Sequence, residues 1–454
     1  MRDVVIAGCG PTGAVLGRLL AARGLDVLVA DAAAEPYPLP RAVAVDDDVL
    51  RVLLPLVPDL AVNGHQRAGF LDARGRVLLE VGLGESVLGL PELAFLHQPT
   101  LERSLRAGLG PAGAELRTAS PVTLRGQDAD GVDVTVGGAP ERARWVVGCD
   151  GAASPLRSAL GIAWRGRDDP RRWLVLDAAV DVPLVGTPYF SYLCDPRRPA
   201  VTMPLPGGHR WEWQLAPGEE PTEELVAGLL APYDEPGAGL RVVRRATYQF
   251  AARSAQHWRR GRVLLAGDAA HTLPPFAGQG MGAGIRDAAQ LAWRLAELVR
   301  ADPVEPDPLA AWEFERRAHL RQVTRLSWLL GALVASRHPR ARDALLRGAA
   351  GTPGLGGWLR AGGPRPPSGP RLPSPRLRRL DGSVARLDAL LPAEWTAFGL
   401  GTRPAGPRAV AVLAPGDRRA SRDPAALEDL DGTLLALLRR RGGQLLARPD
   451  RLLA

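Results

Sequence analysis

Residues 1–31 constrain the fold more than any other segment of the chain. Residues 3–7 form a short apolar run that predicts a buried strand, and the following periodicity predicts a helix over 12–23. Gly8, Gly10 and Gly13 lie where the strand leads into the helix. At this spacing the first glycine allows a tight turn, the second lets the backbone approach a pyrophosphate, and the third packs helix on strand. The pattern predicts an α/β domain that binds a dinucleotide.

The residues around these glycines support the same prediction. Pro11 and Thr12 open the helix, whose N-terminal amides and positive dipole end can bind a phosphate. A second strand is predicted over 25–30, and Asp31 follows it where an acidic residue can bind a ribose hydroxyl. Residues 108–113 repeat the glycine spacing, but they follow a predicted helix rather than a strand, so we reject them as a second site.

Composition excludes several other classes of protein. The chain has 454 residues, enough for two or three domains, and 46% hydrophobic with 23% charged residues is typical of globular proteins. No apolar run is long enough to span a bilayer, and no signal peptide is expected. All 57 basic residues are arginines scattered along the chain, so the net charge of +8 does not indicate nucleic-acid binding. Cys9, Cys149 and Cys194 lack metal-ligand spacing, and we expect reduced thiols in a cytoplasmic protein.

Two further segments carry glycines, prolines and acidic residues at defined positions. Residues 149–157 (CDGAASPLR) predict a strand end, a turn and a helix capped by Ser154. Residues 267–281 (GDAAHTLPPFAGQGM) follow a buried strand predicted over 262–266 and lead into a long helix over 280–300. An ordinary strand–turn–helix joint does not require two prolines and three glycines at these points. The second of these segments therefore predicts a functional loop.

With the glycine turn at 8–13, these segments resemble the FAD-dependent aromatic hydroxylases, the single-component (group A) flavoprotein monooxygenases. The motif sequences are most similar to those of the 3-(3-hydroxyphenyl)propionate hydroxylases and the polyketide-tailoring hydroxylases. The resemblance covers nearly the whole chain. It implies an α/β fold with a Rossmann-like FAD-binding domain of the para-hydroxybenzoate-hydroxylase type, an inserted mostly antiparallel substrate domain, and a small C-terminal thioredoxin-like unit that lacks CxxC.

We predict domain boundaries on this basis and on the local pattern. Residues 164–250 alternate in the way expected of an antiparallel sheet, and residues 361–376 are rich in proline and read as a linker. The predicted domains are an FAD-binding domain at 1–63, 97–163 and 252–340, a substrate-binding sheet domain at 64–96 and 164–251, and the C-terminal unit at 377–454.

The resemblance implies a tightly but non-covalently bound FAD and a transiently bound NADH or NADPH. Asp268 would accept a hydrogen bond from the ribityl chain, Arg41 would lie against the flavin and its ribose, and Gln98 would contact the phosphate and ribityl region. The alternatives are a surface arginine for Arg41 and a plain helix cap for Gln98. The predicted cofactor-binding residues are Gly8, Gly10, Pro11, Thr12, Gly13, Asp31, Arg41, Gln98, Asp150, Gly151, Asp268, Pro275, Gly278, Gly280 and Met281. The predicted catalytic residues are Pro275, Gly280, Met281 and Arg41.

The implied reaction is hydroxylation of a phenolic or polyketide-like aromatic small molecule by molecular oxygen, through a flavin C4a-hydroperoxide formed at the expense of NAD(P)H. A Baeyer–Villiger or epoxidising oxygenase and a non-catalytic flavin-binding partner are alternatives. A flavin-dependent halogenase is excluded because the chain has no lysine. We expect no metal, no nucleic acid and no membrane partner, and a monomer or a homodimer.

Three smaller expectations concern individual residues. Trp211 and Trp213 should share one strand face, where they either line the pocket with Met203, Tyr189 and Tyr192 or pack in the core. His271 should pack and form hydrogen bonds within its turn rather than bind a metal. Gly282 replaces the Asn or Cys common in the family and should enlarge the pocket near the flavin.

Overall fold

The computed structural model describes the chain except for residues 65–66, 83, 183, 185–188, 235–236, 301–306, 351–370, 418–422 and 424. The described residues form two compact units. The first comprises Met1–Gly84, Pro91–Leu309 and Leu320–Pro364, and the second comprises Glu85–Leu90, Ala310–His319 and Arg365–Ala454.

The strands are β1 Arg2–Ala7, β2 Val27–Ala30, β3 Ala44–Asp46, β4 Val62–Gly64, β5 Arg67–Asp72, β6 Val77–Gly82, β7 Leu93–Leu96, β8 Glu115–Arg117, β9 Val122–Gln127, β10 Val132–Val136, β11 Ala139–Gly148, β12 Trp164–Ala179, β13 Phe190–Cys194, β14 Ala200–Leu205, β15 Gly208–Gln214, β16 Arg241–Ala255, β17 Arg259–Arg260, β18 Val263–Leu265, β19 His271–Thr272, β20 Arg376–Arg378, β21 Val384–Arg386, β22 Thr396–Leu400, β23 Val410–Leu413, β24 Leu427–Asp429 and β25 Gln444–Ala447.

The helices are α1 Pro11–Ala21, α2 Asp47–Leu56, α3 Gln98–Ala107, α4 Leu109–Ala112, α5 Pro155–Ala159, α6 Glu223–Leu230, α7 Gly280–Arg300, α8 Pro308–Val334, α9 Pro339–Ala350, α10 Leu387–Leu390 and α11 Thr433–Arg440. Short 3₁₀ turns cover Ala231–Tyr233, Gly267–Ala269 and Pro275–Ala277. Among the described residues, no helix is both long and apolar enough to cross a membrane.

The first sheet positions the N-terminal glycine turn. Its strands follow the order β17–β18–β11–β1–β2–β8, and the pairs β18–β11, β11–β1, β1–β2 and β2–β8 are parallel. Residues 4–7 of β1 are almost fully buried, as expected for a central strand of a parallel sheet. The turns that follow β1, β11 and β18 therefore lie together at one edge of the sheet.

Helix α1 packs one apolar side on this sheet. Val15, Leu16 and Leu20 are fully buried, and their spacing is that of one helical face. The helix begins one residue before the predicted start and ends two residues before the predicted end. Gly24 follows with φ of +80°, a left-handed conformation that glycine adopts most easily at a helix end.

The second sheet has the order β19–β16–β12–β15–β14–β13–β5–β6, and all its pairs are antiparallel except β13 with β5. Its two faces bury different clusters. The face that we call inner carries Trp173, Tyr192 and Met203, which pack in one cluster with Phe276. The outer face carries a separate cluster that includes residues of α6; its members are Leu174, Leu176, Trp211, Trp213, Val226 and Leu230, among others. This sheet has the antiparallel character predicted for residues 164–250.

A three-stranded sheet with the order β3–β7–β4 completes the sheets of the first unit. Asp46, at the end of β3, caps α2 by accepting a hydrogen bond from the Val49 amide at 3.1 Å. Residues 108–113, the rejected glycine repeat, end α3 and form the short α4, so this copy does follow a helix.

The second unit is a six-stranded mixed sheet, ordered β21–β20–β24–β23–β22–β25, that buries its own apolar core with α11. The pairs β22–β23 and β23–β24 are parallel and the others are antiparallel. Residues 361–370 of the predicted linker lie outside the described residues. Within its last six residues Leu372 and Ser374 are buried in this unit, because the chain there pairs with the C-terminal strand segment at Leu452.

Candidate FAD-binding and substrate site

The glycine turn between β1 and α1 has the geometry that its sequence predicts. Gly8 has φ of +97°, and a Cβ placed there would lie 2.3 Å from the carbonyl oxygen of Cys149. A Cβ on Gly13 would lie 1.9 Å from the carbonyl oxygen of Gly8, so this glycine brings α1 against the turn. A Cβ on Gly10 would meet nothing within 4 Å. Open space therefore lies in front of Gly10, at a helix N-terminus that no side chain caps.

Asp31 follows β2 and lies beside this turn. Its Oδ2 accepts hydrogen bonds from the Cys9 amide and from Arg106 Nη2, each at 2.8 Å. Arg106 Nε also donates to the Cys9 carbonyl oxygen at 3.1 Å. An arginine from α3 thus holds the carboxylate at the turn, and the sequence analysis did not single out Arg106.

Asp150 and Gly151 follow β11, the parallel neighbour of β1. The Cβ position of Gly8 lies 3.0 Å from Asp150 Cα, so the first and second segments are in contact. Asp150 Oδ2 accepts a hydrogen bond from the Leu156 amide at 3.0 Å, whereas its buried Oδ1 has no hydrogen-bond partner. Burial raises the pKa of Asp150, and Ser154 and the Leu156 amide partly offset that rise. A buried carboxylate oxygen of this kind favours a ligand that donates a hydrogen bond.

Thr12 connects the first and third segments. A Cβ on Gly267 would lie 2.6 Å from Thr12 Oγ1, and a Cβ on Gly284 of α7 would lie 2.2 Å from the same atom. The two glycines therefore allow the start of α1 to pack directly against α7 and against the 3₁₀ turn at Gly267–Ala269.

Asp268 lies in that 3₁₀ turn and is exposed, although Gly267 and Ala269 on either side are buried. The protein that surrounds its carboxyl group raises the pKa of Asp268, and the nearby charges of His271 and Arg41 partly offset the rise. The exposed carboxyl group is accessible to a ligand that donates a hydrogen bond.

Arg157 joins the second segment to the third. Its Nη1 donates to the carbonyl oxygen of Ala269 at 2.9 Å, and its Nη2 donates to that of Ala152 at 2.7 Å. The guanidinium lies 3.9 Å from the centre of the Trp164 ring. The three segments found in the sequence therefore meet at the carboxyl ends of β1, β11 and β18, the usual place for a ligand in an open α/β sheet.

Residues 40–42 are held on both sides by buried polar groups. Gln98 Oε1 accepts hydrogen bonds from the amides of Arg41 at 3.0 Å and Ala42 at 2.6 Å, and its Nε2 donates to Glu102 at 2.6 Å. Both polar ends of Gln98 are thus engaged with the protein, and it positions the loop that carries Arg41. Its predicted contact with the cofactor remains a prediction.

The other side of this loop is held by the second sheet. Arg210 of β15 donates to the carbonyl oxygens of Pro40 at 2.7 Å and Arg41 at 3.0 Å. Its guanidinium also forms a buried, two-point ion pair with Asp177 of β12. Burial disfavours the charged guanidinium, but Asp177 outweighs that cost and raises the pKa of Arg210. Arg244 of β16 lies 3.5 Å from Asp177 and also donates to the Pro40 carbonyl oxygen.

The Arg41 side chain is itself exposed, and its guanidinium stacks 4.4 Å from the centre of the Tyr37 ring. The loop backbone is therefore fixed while the charged group extends from it. The positive charge of Arg41 favours the ionised form of Asp268 and partly offsets the rise in its pKa.

The proline turn is anchored from the inner face of the second sheet. The Tyr192 hydroxyl donates to the carbonyl oxygen of Phe276, and the Phe276 ring lies 5.2 Å from that of Trp173. Ser327 of α8 donates to the carbonyl oxygen of Pro274 at 2.7 Å. Pro275 stays partly exposed between these anchors.

The start of α7 combines open space with tight packing. Gly278 has φ of +62° and ends the proline turn, and a Cβ on Gly280 would meet nothing within 4 Å, whereas Met281 is half-buried. A Cβ on Gly282 would lie 3.1 Å from Val49 Cγ2 and 3.2 Å from Arg286 Nη1. The expectation that Gly282 enlarges the pocket is therefore wrong, because α2 and Arg286 already fill that space.

Arg286 ties this helix to its surroundings. Its Nη1 donates to Gln279 Oε1 at 3.0 Å, and its Nη2 forms a buried ion pair with Asp46. His271 contacts the same helix, where its Nε2 is 2.6 Å from the buried Asp287 Oδ2, which also accepts a hydrogen bond from the Gly267 amide at 3.0 Å. His271 thus orders its turn as expected. The residues that the structure describes include no cluster of His, Cys, Asp or Glu that could hold a metal ion.

FAD is the cofactor that the resemblance implies, and the residues present fit it. The open space at Gly10 suits a pyrophosphate at the N-terminus of α1. The exposed Asp268 and the unpartnered Oδ1 of Asp150 offer acceptors for the hydroxyls of a ribityl chain. The open space at Gly280 lies at the N-terminus of α7, where a helix dipole favours negative charge.

The second sheet also separates residues that the sequence analysis had grouped. Trp211 and Trp213 share one face, as expected, with ring centres 5.9 Å apart, but they belong to the outer cluster. Tyr192 and Met203 belong to the inner cluster. The tryptophans are therefore core residues and do not line a pocket with Tyr192 and Met203.

Glu212, between the two tryptophans, is on the inner face with Arg210, and the sequence analysis did not select either residue. The signal that could have found them is a strand with tryptophans on one face and charges at the alternate positions on the other.

Known proteins resemble this chain in sequence and in fold. Residues 1–327 match the sequence family described as an FAD binding domain. A 3-(3-hydroxy-phenyl)propionate/3-hydroxycinnamic acid hydroxylase of Burkholderia vietnamiensis is 37% identical over 376 residues, which are 78% of this chain and 67% of that protein. The chain spans about two thirds of the length of such relatives: 67% of the Burkholderia vietnamiensis protein and 65% of a 3-(3-hydroxy-phenyl)propionate/3-hydroxycinnamic acid hydroxylase of Mycobacterium avium.

Two solved structures have the same fold. A complex of aklavinone-11 hydroxylase with FAD and aklavinone gives a TM-score of 0.78 at 24% identity, and covers 100% of this chain and 95% of its own. The OxyS anhydrotetracycline hydroxylase from Streptomyces rimosus gives a TM-score of 0.76 at 28% identity, with the same coverage of both chains. The predicted para-hydroxybenzoate-hydroxylase-type fold is confirmed. The chain therefore belongs to the FAD binding domain family, among the FAD-dependent aromatic hydroxylases.

Proposed function

We propose that this chain is an FAD- and NAD(P)H-dependent monooxygenase that hydroxylates an aromatic small molecule of phenolic or polyketide-like character. The observation that carries the proposal is the convergence of the glycine turn, residues 149–157 and residues 267–281, with a proline turn that is anchored on the inner face of the second sheet. The names of the relatives support the class of reaction.

Each part of the site has a role in this proposal. Gly8–Gly13 and the N-terminus of α1 hold the pyrophosphate, and Asp31 binds a ribose hydroxyl. Asp150, Gly151 and Asp268 bind the ribityl chain, Arg41 lies against the flavin, and Pro275 with Gly278, Gly280 and Met281 lines the reactive ring. FAD, when bound, supplies the activation of molecular oxygen with electrons taken from NADH or NADPH.

The contribution of the chain itself is positioning, charge stabilisation and exclusion of water. The N-terminus of α7 stabilises negative charge near Gly280 by about 0.3–1 kcal/mol, and by more where the charge is buried. The apolar inner face, with Trp173, Tyr192 and Met203, excludes water from the ring that reacts. Gln98 and Arg210 keep the Arg41 loop in one place, so that its charge need not be reoriented during the reaction.

The partners in this proposal are an aromatic small molecule and molecular oxygen. We also propose a cytoplasmic location, which the free cysteines Cys9, Cys149 and Cys194 support. A monomer and a homodimer both fit the proposal.

The test uses the FAD-loaded protein and labelled molecular oxygen. Candidate aromatics should accelerate NAD(P)H oxidation, and the product should carry one labelled oxygen atom on an aromatic carbon. A label in an ester or an epoxide would identify a Baeyer–Villiger or epoxidising enzyme. Protein that binds FAD but never oxidises NAD(P)H faster with any candidate would instead be a flavin-binding partner, and the proposal would fail.

A further inference from the structure

We propose that Glu212 binds an aromatic hydroxyl group of the substrate, and that the ring end facing the inner sheet is therefore a neutral phenol rather than a carboxylate side chain. This inference rests on the proposed function and names the substrate class for the same site.

Strand register places Glu212 near the middle of the inner face. On β15 it pairs with Val175 of β12 on one side and with Val201 of β14 on the other. Val201 in turn pairs with Tyr192 of β13. Paired residues in adjacent strands point to the same face, so these four side chains form one row across the sheet.

Two anchors of the predicted flavin site lie near Glu212, one beside this row and one at its end. Arg210 lies two positions before Glu212 on the same strand and binds the carbonyl oxygens of Pro40 and Arg41. Tyr192, two strands away or about 10 Å at the usual strand spacing, binds the carbonyl oxygen of Phe276. Glu212 therefore faces the space between the Arg41 loop and the proline turn, the two segments that we assign to the flavin ring.

The Glu212 side chain lacks a partner there. It is partly exposed although its neighbours Trp211 and Trp213 are buried, and within the described part of the chain it has no hydrogen-bond or ion-pair partner. Burial raises the pKa of Glu212, and Arg210 partly offsets the rise. Two polar atoms in the next row of this face, Trp173 Nε1 and Gln214 Oε1, are also buried without partners. Unsatisfied polar atoms on one face of the sheet favour a ligand that forms hydrogen bonds there.

The chemistry around Glu212 selects the ligand. Val175, Val201 and Met203, all on the inner face, supply an apolar wall that suits an aromatic ring. A carboxylate accepts a strong hydrogen bond from a hydroxyl group, but it repels a second carboxylate. Arg244, two strands away from Glu212, has unpartnered N–H groups that are able to donate to a carboxylate. Asp177 lies 3.5 Å from Arg244, however, and its negative charge would oppose an added anion.

Equilibrium binding to the FAD-loaded protein, without NAD(P)H, tests this inference. Flavin absorbance would report the dissociation constants of two probe pairs slightly above neutral pH. The first pair is α-naphthol and α-methoxynaphthalene, which differ in the hydroxyl donor. The second is α-naphthoate and its primary amide, which differ in charge at the ring position of that hydroxyl. We expect wild-type protein to bind the naphthol about tenfold more tightly than the ether, and the amide more tightly than the acid.

Both preferences should weaken in Glu212→Gln, which keeps the shape of the side chain, and disappear in Glu212→Leu. Glu220→Gln is the matched control, because this carboxylate of the same domain is exposed and paired with Arg172; it should keep both preferences. The inference is overturned if folded, FAD-loaded Glu212→Leu still prefers the naphthol to the ether. It is also overturned if wild-type protein shows no such preference or does not bind the naphthol. Preference without oxygen transfer to any aromatic would instead contradict the proposed function and leave the role of Glu212 standing.

Discussion

Arg210 Nη1 donates a hydrogen bond to the carbonyl oxygen of Arg41 at 3.0 Å, although the two residues are 169 positions apart in the chain. Asp177 holds the same guanidinium from the other side through two hydrogen bonds. The loop that presents Arg41 is thus fixed by the second sheet, and an ion pair remote from the glycine turn becomes part of the predicted cofactor site.

Arg210→Lys tests this relationship. Lysine keeps the charge but cannot bind Asp177 and both loop carbonyls in one planar fork. We expect the apoprotein to lose about 3 kcal/mol of unfolding free energy, the scale of a broken buried ion pair. FAD should also bind about tenfold more weakly, a loss of about 1.4 kcal/mol, because the Arg41 loop loses its support.

Chemical denaturation and FAD titration measure the two effects of Arg210→Lys. Arg245→Lys is the control, since this neighbouring arginine of β16 pairs at the surface with the exposed Glu223. Unchanged FAD affinity in a destabilised Arg210→Lys protein would show that the arginine supports only the fold.

Three glycine substitutions separate the roles of the N-terminal turn. Gly8→Ala should unfold the protein or strongly destabilise it, because φ is +97° and the new Cβ would lie 2.3 Å from a carbonyl oxygen. Gly10→Ala meets no protein atom within 4 Å and should keep its stability while binding FAD more weakly. Gly110→Ala, in the rejected repeat, also meets nothing within 4 Å and should change neither property for the worse. FAD titration and thermal unfolding check these outcomes, and normal FAD binding by Gly10→Ala would remove the pyrophosphate from this turn.

Local pattern predicted the parts of the site that depend on short stretches of chain. The strand, glycines and helix of residues 3–23 form one local unit, and the proline turn precedes a helix that begins and ends at the predicted residues, Gly280 and Arg300. Asp177, Arg210, Arg244 and Glu212 could not be found in this way. Their meeting depends on pairing between β12, β15 and β16, which are distant in sequence, so no local periodicity marks it. The prediction for Gly282 was wrong for a related reason, because the space beside this residue is filled by α2, which is distant in sequence.

Asp268→Asn tests whether an exposed but desolvated carboxylate is kept for ligand binding. Its folded-state pKa is raised, so ionisation costs the apoprotein stability above the unfolded pKa, and this cost disappears as pH falls below that value. The Asn variant should therefore be at least as stable as wild type at neutral pH, with the difference vanishing in acid, yet bind FAD more weakly.

Unfolding of the apoproteins across pH measures the effect of Asp268→Asn. Asp287→Asn provides the contrast, because this buried carboxylate binds His271 and the Gly267 amide and its loss should destabilise the apoprotein. An Asp268→Asn protein that loses stability at neutral pH would assign Asp268 to the fold instead.

Tyr192→Phe tests the anchor of the proline turn. The change leaves the buried Phe276 carbonyl oxygen without its donor and should cost about 1–3 kcal/mol of unfolding free energy. Because Pro275 is assigned to the flavin ring, the visible absorbance spectrum of bound FAD should also shift. Tyr233→Phe, on the outer face of the same sheet beside Trp211, should leave that spectrum unchanged. A stability loss without a spectral shift in Tyr192→Phe would separate this turn from the flavin.

The most direct test of the central claim is the amount of FAD that purified protein retains and rebinds. Three segments that meet at a single site predict one non-covalently bound FAD per chain, released on unfolding and restored when apoprotein is titrated with FAD. A colourless protein that neither retains FAD nor rebinds it would contradict the account.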